Sequence, residues 1–593
     1  MRKSGVDIIE EKRCMLTLPP EGFRLEKGGV FKRLEVAYES FGTLSPQKDN
    51  VVFVCHALTG DAHVYGYHAE DDLSRPATGW WEGMVGSGCG IDTDHYFVVC
   101  ANVLGGCRGT TGPASIDPDT GKPYGSAFPE ITVGDIVDVH VLLLKELGFE
   151  RICAAIGGSF GGMQVLEWAV RYPEMCANAI VVAAAASLNA QALAFDIVGR
   201  QAIVQDPDWA NGDYYGARRP DAGLARARKL AHITYLSQDS MEDKFGRNKQ
   251  QDWIERGEAF HDFSRRNFRT FFQIESYLEH QGEKFINRFD ANSYLHITRA
   301  MDAYDLAEKY GCLEAAAERV KARVLLVSLS GDWLFTADQA EELVEALLRK
   351  NRAVSYCHLD APAGHDAFLT NIDELKQVIR AFMPAHRYAF TSDSISPEYR
   401  VIAGMVPQGA RVLDLGCGNG ELLALLKELR GTEGHGVDID IGEIVQAVHI
   451  GQNVLMCDID RGLPLIPDGT YDSAILSETL QVVREPLRAV EEILRVAKEA
   501  IVAFPNFGYW GVRLHLLLKG TMPKGRHIPY EWYNTPNIHL FTLNDFRMMC
   551  ADRGIEIREM HCVAGGPLSR LALKFGLKNP ASSQVIARIA RRR

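Results

Sequence analysis

Twice along this chain, short runs of consecutive apolar residues alternate with stretches whose apolar positions fall at helical spacing, and this confines most of it to layered α/β folds. In the first block VVFVCHAL (51–58), HYFVVCANVL (95–104), RICAAIGGS (151–159) and AIVVAAAA (179–186) read as strands buried on both faces. ITVGDIVDVHVLLLKELG (131–148) lies among them as an amphipathic helix. From about 189 to 317 the pattern becomes helical, with LARARKLAHITYLS and NSYLHITRAMDAYDLAEKYG, and strands resume with RVLLVSLS and AVSYCHLD. One mostly parallel sheet is thus expected to be interrupted by a helical lid. Pro384, a Ser/Thr cluster and Pro397 break the periodicity after residue 383. The second block then runs through RVLDLG, GHGVDI, NVLMCD, YDSAILS and EAIVAFPN, separated by helical segments. The expected domains are 1–383 with the lid at about 189–317, a linker at 384–393, and 394–593. The basic tail ARIARRR reads as a solvated end.

Composition narrows the function. The formal charge is −13, which argues against a nucleic-acid or anionic-membrane binder held by a general positive field. No apolar stretch approaches the roughly 18 residues of a spanning helix, and the N-terminus lacks the apolar core of a secretory signal. The 13 cysteines show no regular spacing, no CxxC pair and no HExxH, so a cytoplasmic protein with reduced thiols and no metal is expected.

RICAAI runs straight into Gly157-Gly158-Ser159-Phe160-Gly161-Gly162 and then a helix. G-x-S-x-G between strand and helix holds a serine in a strained turn above the sheet, so Ser159 is the candidate nucleophile. A hydroxyl needs a base, and the base a carboxylate, in the chain order Ser, acid, His. Asp332, just past VLLVSLS, and His365 in APAGHDAF satisfy that order. An oxyanion hole needs two N–H donors: Phe160, after the nucleophile, and Leu58, in the turn after the VVFVC strand, are the candidates. Taken singly, Asp332 reads equally well as a helix cap and His365 as a loop histidine; the three in order at strand ends favour chemistry.

CHALTGDAHV, NVLGGCRGTTGPAS, GGSFGGMQVLEWA, HITYLS, GDWLF and AGHDAFL resemble the homoserine O-acyltransferases of methionine biosynthesis, on the α/β-hydrolase fold, over about residues 10–383. The resemblance implies acyl transfer from acyl-CoA to the γ-hydroxyl of L-homoserine through acyl-Ser159. It makes Arg228 the grip on the substrate carboxylate and Asp366 the contact to its amino group. In succinyl-transferring relatives the position two after the catalytic Asp is Arg. Here it is Leu334, which offers a second carboxylate no partner, so acetyl-CoA is the expected donor. A homoserine O-succinyltransferase or serine O-acyltransferase is the alternative. The resemblance also suggests a homodimer through the helical insertion.

In the second block, VLDLGCGNG ends a strand and opens a helix. Gly416, Gly418 and Gly420 allow close backbone approach to a ligand, and Asp414 can meet an ammonium group. Asp438, ending GHGVD, is placed for ribose hydroxyls, and Asp458, ending NVLMCD, for an adenine edge. Residues from about 394, notably FPNFGYWGVRLHLLLKG and PYEWYNTPNIHLFTLNDF, resemble the MetW proteins within the class I S-adenosylmethionine-dependent methyltransferase superfamily. That implies S-adenosylmethionine binding. Neither Glu478 nor His515 identifies itself as an acceptor base, so a methylating enzyme and a regulatory module both stay open.

Overall fold

A computed structural model of the chain describes residues 8–68, 78–250, 272–370, 373–388, 390, 396–524 and 531–592. Parts of the expected lid (251–271) and linker (389 and 391–393) lie outside the described residues. The chain forms two compact units: Met1–Arg352 with Cys357–Ala385, and His386–Arg593 with Ala353–Tyr356.

The first unit is built on strands β1 (Lys12–Met15), β2 (Glu35–Phe41), β3 (Val51–Cys55), β4 (Phe97–Ala101), β5 (Ala154–Gly158), β6 (Asn178–Val182), β7 (Arg323–Leu329) and, from Cys357 onward, β8 (Val354–Leu359). Their order is β1-β2-β4-β3-β5-β6-β7-β8. β1 and β2 are antiparallel, and the ladders from β4 through β3, β5 and β6 to β7 are parallel. Every residue of β3, β5 and β6 is buried, as helices on both faces require. The helix Val133–Glu146 starts in a capping box, with Thr132 N–H donating to Asp135 and Asp135 N–H to Thr132. β4 and β5 flank β3 on opposite sides, so the strand order reverses there, and the loops after β3 and β5 open at that switch point.

Between β6 and β7 the described insertion is helical: Ala190–Val204, Asp221–Tyr235, Gln238–Lys244, Gln273–Ile286, Ala291–Asp302, Leu306–Tyr310 and Leu313–Arg319. NSYLHITRAMDAYDLAEKYG is two helices rather than one stretch. Asp305 accepts from the N–H of Glu308, capping the second helix and ending continuity with the first.

The second unit has strands β9 (Arg411–Leu415), β10 (Glu433–Asp438), β11 (Val454–Met456), β12 (Tyr471–Ser477), β13 (Ala497–Pro505), β14 (Ile555–Ala564) and β15 (Ser582–Arg591). Their order is β11-β10-β9-β12-β13-β15-β14, parallel as far as β13 and antiparallel beyond it. The first part of the basic tail, Ala587–Ala590, is therefore strand rather than solvated end, while Arg591 and Arg592 are exposed as expected. Val585, Ile586, Ala587, Ile589 and Ala590 are buried in β15, and Arg588 meets Glu559 at 2.9 Å. Short apolar pairs broken by arginine hid a strand that pairs on one side with β13 and on the other with β14.

Candidate functional site

Ser159 sits between β5 and the helix Phe160–Arg171 with φ 58° and ψ −129°, a conformation disfavoured for any residue with a Cβ. Close packing explains the glycines around it. A Cβ on Gly161 would strike the Cys55 carbonyl of β3, and one on Gly158 would lie 2.6 Å from the Phe368 ring. The Ser159 N–H donates to the Val182 carbonyl at 3.0 Å, tying the elbow to β6.

Three side chains converge there. Ser159 Oγ lies 2.8 Å from His365 Nε2, and His365 Nδ1 lies 2.6 Å from Asp332 Oδ2. The other Asp332 oxygen accepts the backbone N–H of Leu334 at 2.9 Å and of Phe335 at 3.0 Å, which fixes the carboxylate's rotation. All three residues are buried. Burial alone would push the His365 imidazole down, but the charge and hydrogen bond of Asp332, helped by Asp366, hold it above its ordinary value. A hydroxyl hydrogen-bonded to an imidazole that a carboxylate orients is the arrangement that nucleophilic catalysis requires.

Two cavities meet at Ser159, sharing Leu58, Tyr235 and His365 as walls. One is largely apolar, lined by Leu188, Phe195, Tyr294, Met301 and Leu334. The other holds Arg228, Arg288, Asp61, Asp366 and Trp80. Burial raises the Asp366 carboxyl above the ordinary range, while His365 and Arg228 pull against that rise. Of the residues expected from the sequence, the fold thus brings Leu58, Ser159, Arg228, Leu334, Asp332, His365 and Asp366 around one point, with Phe160 opening the helix beside it.

Sequence patterns do not announce Arg288 or Asp196. Arg288 belongs to a loop after the Gln273–Ile286 helix, and nothing in FINRFD distinguishes it from a surface arginine. Asp196 faces the apolar cavity, where burial, then the charge of Asp302, pushes its carboxyl up to about 8. Nor does spacing reveal Glu39, His63 and His68, whose ligand-type atoms lie within 4.8 Å of one another. The two rings stack at 3.5 Å, each presenting one nitrogen to a different oxygen of the buried Glu39. Side-by-side rings suit that shared carboxylate better than they suit nitrogen lone pairs converging on one ion.

In the second unit, the carboxyl ends of the adjacent parallel strands β9, β10 and β11, and the loops after them, carry the predicted residues. Gly416, Gly418 and Gly420 have φ 69°, 51° and 78°. At Gly416 a Cβ would also lie 2.5 Å from Thr479 Oγ1, so both backbone and space demand glycine. Asp438 accepts the Gly418 N–H at 2.8 Å, joining the two loops. Asp414 is buried, and that burial, with the charge of Asp438, pushes its carboxyl up to about 8. Asp458 caps the short turn Ile459–Arg461, accepting the Asp460 N–H at 3.0 Å. Glu478, at φ 56° past β12, accepts from Gln584 at 3.1 Å, and His515 lies 3.2 Å from Thr521 Oγ1.

The family model for the alpha/beta hydrolase fold matches residues 50–372, and that for the methionine biosynthesis protein MetW matches 396–584. The bifunctional methionine biosynthesis protein MetXA/MetW of Rhodopirellula baltica is 41% identical over 552 residues, covering 90% of this chain and 86% of that protein. The chain belongs to the bifunctional MetXA/MetW family. The homoserine O-acetyltransferase of Methanosphaerula palustris is 48% identical over 383 residues, 65% of this chain and 75% of that one. Among solved structures, homoserine O-acetyltransferase from Bacillus anthracis superposes with a TM-score of 0.57 at 26% identity, over 64% of this chain and 98% of its own. Esterase E22 superposes with 0.56 at 29% identity, over 64% of this chain and all of its own. The α/β-hydrolase fold and the MetW-type unit expected from the sequence are both present. Among the described residues, no helix is long and apolar enough to cross a membrane.

Proposed function

We propose that the first unit transfers an acetyl group from acetyl-CoA to the γ-hydroxyl of L-homoserine through acetyl-Ser159, giving O-acetyl-L-homoserine. The observation that carries this is the Ser159–His365–Asp332 hydrogen-bonded chain at the junction of an apolar and a charged cavity. Ser159 Oγ attacks the thioester carbonyl as its proton passes to His365 Nε2, and Asp332 holds the imidazole in the tautomer this needs. The N–H groups of Phe160 and Leu58 meet the oxyanion. CoA leaves as the thiol, taking the proton from His365. Homoserine then enters the charged cavity with its carboxylate on Arg228 and its amino group on Asp366. His365 takes the γ-hydroxyl proton, the ester transfers, and Ser159 regains its hydrogen.

The test is intact-protein mass spectrometry after mixing with acetyl-CoA alone. Acetate is expected on Ser159 and should disappear when homoserine is added. An unmodified protein would overturn the reading. The likeness to an esterase supplies a second reading, in which water is the acceptor. Equal rates of CoA release with and without homoserine would favour it.

Leu334 is buried in the apolar cavity, where a terminal carboxylate on the acyl chain would lose its hydration without gaining a partner. Leu334→Arg is expected to raise the succinyl-CoA to acetyl-CoA ratio of kcat/KM by about tenfold or more, the worth of one charge-assisted hydrogen bond. An unmoved ratio would discard this account of donor choice.

For the second unit the reading is S-adenosylmethionine binding. The donor set fits: Asp414 and Asp438 place two acids together where burial disfavours the charge of Asp414, a cost that a bound cation would relieve, and positive-φ glycines leave room for close approach. Asp414 would meet the ammonium group, Asp438 the ribose hydroxyls and Asp458 the adenine edge. When bound, the sulfonium supplies an activated methyl group. Asp438→Ala is expected to weaken equilibrium binding of labelled S-adenosylmethionine by about 30-fold, because two hydroxyl partners are lost together. Unchanged binding would reject that site. Whether the bound ligand is spent or only sensed is read from methylated product against a change in acetyltransferase rate.

A further inference from the structure

Arg228 and Arg288 reach the charged cavity from different parts of the helical insertion, yet are held by the same two residues. Arg228 Nη1 donates to Thr59 Oγ1 at 3.2 Å, and Arg288 Nη2 to the Thr59 carbonyl at 3.0 Å. Both guanidinium groups lie over the Phe285 ring, at 4.8 and 5.9 Å from its centroid. Among the described residues neither pairs with a carboxylate, unlike Arg171, which has Asp138 and Glu26, or Arg200, which has Asp302. Their unused N–H groups are not sealed in protein; both side chains line the cavity beside Ser159. Two adjacent cations without an anion are costly. Burial, followed by the charge of Arg228, lowers the Arg288 guanidinium from its ordinary value.

We propose that Arg288 completes a two-guanidinium clamp for the acceptor's α-carboxylate, and so selects an amino acid over a simple alcohol at the acyl-enzyme. The clamp rests on the reading that the charged cavity receives homoserine. Asp366 lines the same cavity and would serve the amino group, so the cavity offers complementary charges to both ends of an α-amino acid. A carboxylate has two oxygens in one plane, and two guanidinium forks can each donate to it. Thr59 and Phe285 hold both forks in place before the ligand arrives, which lowers the ordering cost of binding.

The probe is 3-aminopropan-1-ol, which is homoserine without its carboxylate. Arg288→Gln is expected to reduce the preference for homoserine over 3-aminopropan-1-ol by about 30-fold in kcat/KM, carried by the homoserine KM. Arg288→Lys, which keeps the charge but not the fork, should recover part of the loss. Equal falls for both acceptors would mark Arg288 as merely structural and overturn the clamp. So would a raised KM for acetyl-CoA with acceptor preference intact, which would place Arg288 on a CoA phosphate. Arg228→Gln separates the clamp from the cavity's assignment: if it raises the homoserine KM while Arg288→Gln does not, the clamp fails alone. If neither does, the charged cavity is not the homoserine site.

Discussion

Ser159→Ala is expected to lower acetyl transfer by roughly 10⁵- to 10⁶-fold and to abolish the acetyl adduct, because nucleophile and base act as a unit. The Ser159 hydroxyl is the group within hydrogen-bond reach of His365 Nε2, and the other imidazole nitrogen is committed to Asp332. Without it, homoserine would have to attack the thioester directly, with CoA and acceptor bound together. The cavities and oxyanion donors would survive, so a small residual rate is consistent with the proposal. Steady-state CoA release, measured alongside intact mass, decides the matter. A variant that keeps more than about a hundredth of the rate would show that acyl-Ser159 is not on the pathway.

The second large effect is expected of Asp332→Asn, at about 10⁴-fold in kcat. The substituted amide can keep accepting the Leu334 and Phe335 N–H groups with its carbonyl oxygen, which leaves its NH₂ facing His365 Nδ1. Nδ1 must then accept rather than donate, so the proton moves to Nε2 and the imidazole can no longer take one from Ser159. The pH dependence moves with it. In the unaltered protein Asp332, helped by Asp366, overcomes burial and raises the imidazole. His365 therefore keeps its proton to a higher pH, and kcat/KM should fall on the acid side below a midpoint above that of free histidine. Loss of the carboxylate leaves burial opposed by Asp366 alone, so the acid limb should shift to lower pH on a much reduced plateau. Folding responds in the opposite sense: the stability contributed by His365 is full below the unfolded imidazole's pKa and disappears as pH rises through the folded one. Rate profiles that overlay after scaling would show that Asp332 does not set the base.

Local chemistry makes much of this legible in the sequence. The elbow around Ser159 declares itself because strand, glycines and helix must be contiguous in the chain to build it. Asp332 and His365 follow because parallel strands deliver their carboxyl ends to one side. Gly416, Gly418 and Asp438 are legible on the same grounds. Arg288 is hidden because its significance comes from Phe285 and Thr59 in space, and Thr59 is far away in the chain. Asp196 is hidden because only the fold shows that a helix residue turns into an apolar cavity. The last strand escapes because arginine between apolar pairs imitates a solvated tail, while Glu499 and Glu559 provide its partners only after folding.

The backbone of Ser159 has one more implication. Its left-handed φ costs about 1 kcal/mol or more, which a glycine there would not incur. On the proposed acyl-Ser159 pathway, robustness to heat and catalytic turnover select for different amino acids at this residue. Any breeding of the protein for thermal endurance alone would drift towards a sturdier chain that has lost its chemistry.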